Sequence, residues 1–215
     1  MVAVDACQGM CQGHDTGNDV AVNTVIFAKS TFVPLAVGFF GLGTGYLIYA
    51  PQELFGFPAR TKAVDLASGI WGVWMPGFMQ FLVGVYLFVG LSWLGSFNTP
   101  ALYMAALAFT AYGVHWWALG LNRAFGGDPR LNGFMSVAFI FLSVLGVVVF
   151  FGANDWPAAV LFIGLTLVYI AEFFSSLFHI GERALGLVRL ATGVWLMYLT
   201  WAAALNFALG YKWPL

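Results

Sequence analysis

The sequence predicts an all-α membrane protein: six transmembrane helices in a bundle with short loops, preceded by a polar tail. Three observations predict it. Hydrophobic residues make up 61% of the 215, and charged residues only 8%, where soluble domains carry about 25%. Apolar runs alternate with short polar breaks from Phe32 onward. The runs also lack the apolar/polar alternation of a membrane β-barrel. Mean hydropathy is +0.88. Eight Lys and Arg against nine Asp and Glu leave a net charge of -1, so no basic excess exists to bind nucleic acid.

Residues 1–31 form the first expected unit, a polar tail. It holds both cysteines and the acids Asp5, Asp15 and Asp19, and no apolar run with basic flanks marks a cleaved leader. Residues 32–215 form the second, the membrane domain. Its helices are expected at about 32–50, 67–94, 101–121, 131–152, 157–178 and 184–209, each near the roughly 20 residues a bilayer core requires. Pro51 opens the first break. Pro100, Pro129 and Pro157 fall at or just before helix starts, where a missing N–H costs little. Gly38, Gly41, Gly43 and Gly45 give the first helix a small-residue surface for close packing.

Cations orient the bundle. Arg60, Lys62, Arg123, Arg130 and Arg183 fall in the breaks after helices one, three and five, while the other side has Lys29 and Lys212. The positive-inside rule places both termini outside the cytoplasm, in a multi-pass protein of the plasma (inner) membrane. Trp93, Trp156, Tyr211 and Trp213 suit interfacial anchors among lipid headgroups.

Ionisable groups within spans are costly and mark function or pairing. Glu172 and Arg189 lie almost equidistant from a turn near Gly181, so an antiparallel hairpin brings them to one depth as a buried ion pair. That pair reads either as a structural clasp or as part of a proton or substrate relay. Glu172, Ser175, Ser176 and His179 recur at i, i+3, i+4 and i+7, a polar stripe on one helix face. His115 sits mid-span beside Tyr112, Trp116 and Trp117 and reads either as a packing residue or as a proton-handling one. In the tail, Cys7, Met10, Cys11 and His14 offer soft ligands for copper or zinc. A Cys7–Cys11 disulfide or free thiols are the other readings of those cysteines. No nucleophile motif, phosphate loop or dinucleotide fingerprint is present, so no catalytic residue is assigned and the chain is not read as an enzyme.

The segment Ala108–Trp116, A-F-T-A-Y-G-V-H-W, resembles the A-F-T-S-Y-G signature of the YaaH-type acetate/succinate permeases. The stretches 32–40, Gly69 through Gln80 to Gly84, and Phe150-Phe151-Gly152 agree with that family in order, over roughly residues 30–212. The resemblance implies a six-helix bundle, often hexameric, that moves small carboxylates, in some members with proton coupling. It implies a pore constriction of Phe40, Tyr112 and Leu165, which could gate by dewetting. Asn206 matches a family asparagine, whereas Ala203 stands at an acidic family position and His115 at a phenylalanine. With His115 and Glu172, Asn206 completes the expected substrate or proton contacts.

The leading expectation is a permease or channel for a small carboxylate such as acetate, with membrane lipid as its surroundings. Its subunits would form a homo-oligomer, or a hetero-complex with other membrane subunits. The first rival is a non-transporting accessory subunit of a larger membrane enzyme, with a metal-dependent oxidase or oxygenase as host. The second is a small neutral-solute channel of the urea or amide type.

Overall fold

A computed structural model describes residues 34–215, and every described secondary-structure element is helical. Helix α1 spans Leu35–Phe55. Helix α2, Lys62–Gly72, runs through a π-helical turn, Val73–Phe78, into α3, Met79–Ser92. Then follow α4 (Ala101–Phe125), α5 (Arg130–Gly152), α6 (Trp156–Phe178) and α7 (Glu182–Leu209). With α2 through α3 taken as one rod, six rods run up and down among the described residues.

Helix limits differ most from expectation at two places, by five residues each, and each has a cause. The first helix does not stop at Pro51 but continues to Phe55. Its added turn is held from outside, because Arg123 bonds Gln52 and Arg189 bonds Glu53. The second rod starts five residues before the expected 67, where Thr61 caps it by accepting from the Val64 N–H at 3.2 Å. Pro76 lies inside that rod and cannot donate to the preceding turn, and there the helix widens to π geometry. Elsewhere the expected punctuation operates. Pro100 and Pro129 cap α4 and α5, Pro157 opens α6, and Gly56, Gly126 and Gly210 end α1, α4 and α7 in left-handed conformation.

Four segments are long and apolar enough to cross a membrane: 62–92, 130–152, 156–178 and 182–209. Helices α1 and α4 are not among them. They bury a larger share of their residues than the other rods do, so protein rather than lipid surrounds much of their surface. Helix α5 shows the opposite character, turning Phe134, Phe141 and Val148 outward.

The rods approach closely where side chains are smallest. A Cβ on Gly41 would stand 2.5 Å from the Met75 carbonyl, and one on Gly45 would stand 2.7 Å from the Pro76 ring. These contacts seat α1 on the π turn. Gly69 and Gly120 meet in the same way, each 2.5 Å from the other's carbonyl once a Cβ is added. Glycine therefore sets the spacing of α2 and α4.

Candidate functional site

One face of α1 shows how the interior is organised. Leu35, Phe39, Leu42, Tyr46, Tyr49 and Glu53 recur at intervals of four and three, which is a single helix stripe. The first three line an apolar cavity of about 180 Å³, and the last two line a polar cavity of about 310 Å³. Helix α4 repeats the order, with Phe109 and Tyr112 on the apolar cavity and Leu119, Asn122 and Arg123 on the polar one. Helix α6 does so again, from Phe162 and Leu165 to Glu172, Ser175 and Ser176, with His179 at its C-cap. The two cavities thus sit at opposite ends of one bundle axis. From Leu42 to Tyr49 the separation is seven residues, roughly 10 Å along the helix.

An aromatic layer fills the space between them. Tyr46, Trp116 and Tyr169 are fully buried there, and neither cavity is lined by them. Tyr112 stacks on Tyr169 with ring centroids 5.8 Å apart, and Tyr169 stacks on Phe139 at 5.1 Å. The Tyr112 hydroxyl meets Ser143 Oγ at 2.9 Å; because Ser143 donates to the Phe139 carbonyl, Tyr112 is the donor. His115 Nδ1 lies 3.3 Å from the Tyr169 hydroxyl, while its Nε2 has no partner.

The polar cavity is a charged vestibule. Arg189 donates from Nη2 to Glu172 Oε2 at 3.0 Å and from Nη1 to Glu53. Arg123 Nε bonds Asp65 at 3.1 Å, and its guanidinium sits 4.4 Å from the Tyr49 ring centroid. The Tyr49 hydroxyl donates to the Ser68 carbonyl. Arg60 reaches the same Asp65 oxygen from the exposed loop. Guanidinium and carboxylate groups alternate here, so each buried charge has an opposite neighbour.

Among the described residues the one ionisable side chain lining the apolar cavity is Asp155, whose carboxylate caps α6 by accepting from the Ala158 N–H at 3.0 Å. Burial pushes this carboxyl above its ordinary range, against the smaller opposing effect of that hydrogen bond. Gln80 contributes a buried carbonyl oxygen without a partner.

The expected site residues distribute unevenly over this plan. Tyr112 and Leu165 both line the apolar cavity, 2% and 1% exposed. Phe40 does not join them. It is 42% exposed, and the inward aromatic of α1 is its neighbour Phe39, 6% exposed and packed on Phe109 at 5.7 Å. One helical step rotates a side chain by about 100°, which turns Phe40 off the inward stripe. Asn206 is also away from both cavities; its amide donates to the Trp213 carbonyl and its oxygen accepts the Trp213 N–H, each at 2.8 Å. It clasps the chain after α7 rather than facing an interior space. His115 lies in the sealed layer, and Glu172 in the vestibule. Cys7, Met10, Cys11 and His14 lie outside the described residues. Among the described residues no group of three or more His, Cys, Asp or Glu is placed to hold a metal.

Sequence reasoning missed Glu53, Tyr46, Tyr49 and Tyr169. The stripe Tyr46, Tyr49, Glu53 was the available signal, but ending the helix at Pro51 put Glu53 in a loop.

No family model matches this chain, and no curated protein matches it. A solved structure does. The fold is similar to that of the bacterial acetate channel SatP. The superposition has a TM-score of 0.62 and covers 83% of this chain and 94% of SatP, at 20% sequence identity. The likeness to SatP is one of fold, and it agrees with the resemblance carried by Ala108–Trp116.

Proposed function

We propose that this protein is a membrane permease or channel for a small carboxylate such as acetate, with all six rods crossing the bilayer. The observation that carries this reading is the pair of cavities on one axis, facing each other across a layer that includes Tyr112. Such a plan suits alternating or gated passage, with Phe39, Tyr112 and Leu165 as the narrow apolar zone. The fold shared with SatP supports the same reading. On this proposal the vestibule, at the end of the bundle that carries Arg60, Lys62, Arg123, Arg130 and Arg183, faces the cytoplasm and the apolar cavity faces outward. Proton linkage would run through Glu53 and Glu172. Subunits would associate as a homo-oligomer through their outer apolar faces. The tail residues Cys7, Met10, Cys11 and His14 are proposed as a copper or zinc site, which metal analysis of wild type against His14→Ala tests.

Uptake of labelled acetate into proteoliposomes decides the matter. Wild type takes up acetate, and Tyr112→Ala, by opening the aromatic layer, takes it up faster. Absence of uptake, with an unchanged leak in the variant, rejects the permease. The sealed layer of Tyr46, Trp116 and Tyr169 would then favour the accessory-subunit reading, in which the bundle is a scaffold.

A further inference from the structure

Helix α7 passes the start of α6 well before its own end, since Trp195 already donates to the Pro157 carbonyl at 3.1 Å. At Gly210 the chain turns in left-handed conformation, with φ of 70°. Residues 211–215 then return along α7 as a strap, held by Asn206 and Tyr198. Trp213 exchanges two hydrogen bonds with Asn206, each at 2.8 Å, and its ring stacks on Tyr198 with centroids 6.1 Å apart. The Tyr198 hydroxyl donates to the Pro214 carbonyl at 3.1 Å. Tyr198 is itself stacked on Trp195 at 4.9 Å, which fixes the strap to an aromatic base on α7.

This anchoring serves one side chain. Tyr211 through Pro214 are exposed, whereas Leu215 is half-buried, packs on the core and lines the apolar cavity. Beside it in that lining stand Thr99, from the loop before α4, and Asp155, the cap of α6. Both mark rod ends away from the vestibule, so Leu215 stands at the cavity mouth. Further in, α4 carries the lining through Ala105, Phe109 and Tyr112, one helical turn after another.

We propose that Leu215 is the lid of the apolar cavity and limits the size of the solute admitted, with Asn206 and Tyr198 as positioning residues that hold it there. A branched apolar side chain at an apolar mouth excludes longer solutes by contact, and its bulk decides how many methylenes fit. Asn206 and Tyr198 both lie on α7, and neither belongs to the close glycine contacts that space the rods. The strap can therefore be loosened with the bundle intact. The size limit rests on the permease reading, whereas the lid itself can be measured without flux.

Thiol labelling of the detergent-solubilised full chain, with Cys7 and Cys11 changed to Ser, tests the lid. One reporter, Ala105→Cys, lies in the apolar cavity, and another, Ser176→Cys in a separate protein, lies in the vestibule. A small water-soluble methanethiosulfonate labels Ala105→Cys severalfold faster once Leu215→Ala or Asn206→Ala is added, and labels Ser176→Cys at an unchanged rate. In proteoliposomes, uptake of butyrate relative to acetate rises about tenfold in either variant, the scale on which an apolar pocket discriminates methylenes. The double variant Asn206→Ala, Leu215→Ala adds little to either single change, because both remove one lid. Tyr198→Phe keeps the ring stack, loses the bond to Pro214 and gives a smaller effect in the same direction; it replaces Asn206→Ala should that variant not fold. Unchanged labelling of Ala105→Cys in a folded Leu215→Ala variant overturns the proposal, and so does equal acceleration at Ser176→Cys, the mark of general loosening. An effect of Leu215→Ala with none from Asn206→Ala or Tyr198→Phe overturns their positioning role. Faster labelling without acetate flux in any protein keeps the lid and removes the permease reading; acetate flux with labelling and butyrate preference both unchanged does the reverse.

Discussion

Glu172 and Arg189 meet at 3.0 Å from adjacent helices, one on each side of the turn at Gly181. Their pairing has a third member, because Glu53 takes the other terminal nitrogen of the same guanidinium. Arg189→Ala therefore strands two carboxylates in a low-dielectric site. A loss of about 3–5 kcal/mol is expected, read as a lowered midpoint of thermal or denaturant unfolding. Removing Glu172 together with Arg189 restores only part of it, since Glu53 stays unpaired. The triple change Glu53→Gln, Glu172→Gln, Arg189→Met restores more. Equal losses from all three proteins would contradict the triad.

The inward stripe of α1 separates two adjacent phenylalanines. Phe39→Ala enlarges the apolar cavity and raises acetate flux in proteoliposomes, by a factor on the order of ten if dewetting limits passage. Phe40→Ala alters a largely exposed side chain and leaves flux near the wild-type rate. The reverse ranking would restore Phe40 to the passage.

The contact of α2 with α4 tolerates no side chain at Gly69. Its added Cβ would lie 2.5 Å from the Gly120 carbonyl and 2.8 Å from Ala124, both on a packed helix. Gly69→Ala is expected to cost about 1–3 kcal/mol by overpacking. Gly152→Ala, a helical position with nothing within 4 Å of the new methyl, serves as control and does not destabilise, gaining up to about 1 kcal/mol from helix propensity.

A pH effect is expected in the exposed turn before α5. Hydrogen bonds from the Arg130 side chain and backbone lower the Asp128 carboxyl from its ordinary 3.8 to about 2. A carboxyl depressed by folding adds stability above its ordinary value, and that contribution disappears as pH falls from 3.8 through 2. NMR titration of Asp128 should find the low midpoint, and Arg130→Ala should return it toward the ordinary carboxyl range. A midpoint unmoved by the variant would remove the side chain as the cause.

What was legible in the sequence follows from local chemistry. Hydropathy and proline placement located the rods, because lipid admits only backbone that satisfies its own hydrogen bonds. Symmetric spacing about Gly181 brought Glu172 and Arg189 together, because a hairpin equates depth with distance from its turn. The seating of Phe39 rather than Phe40 was not legible, since a helix so apolar on every side gives no strong periodicity to orient it. Glu53 was hidden for a different reason. Its helix continues past Pro51 into a turn that Arg123 and Arg189, 71 and 136 residues away from their partners there, grip from outside.

Composition and the order of its breaks determined by themselves that this chain forms a helical membrane bundle with its cations gathered at one end. The tertiary structure alone decided which face of each helix looks inward, and hence that a charged vestibule and an apolar cavity share one axis across an aromatic layer. Side-chain direction depends on the contact of all rods together, at distances set by glycines whose partners lie on other helices.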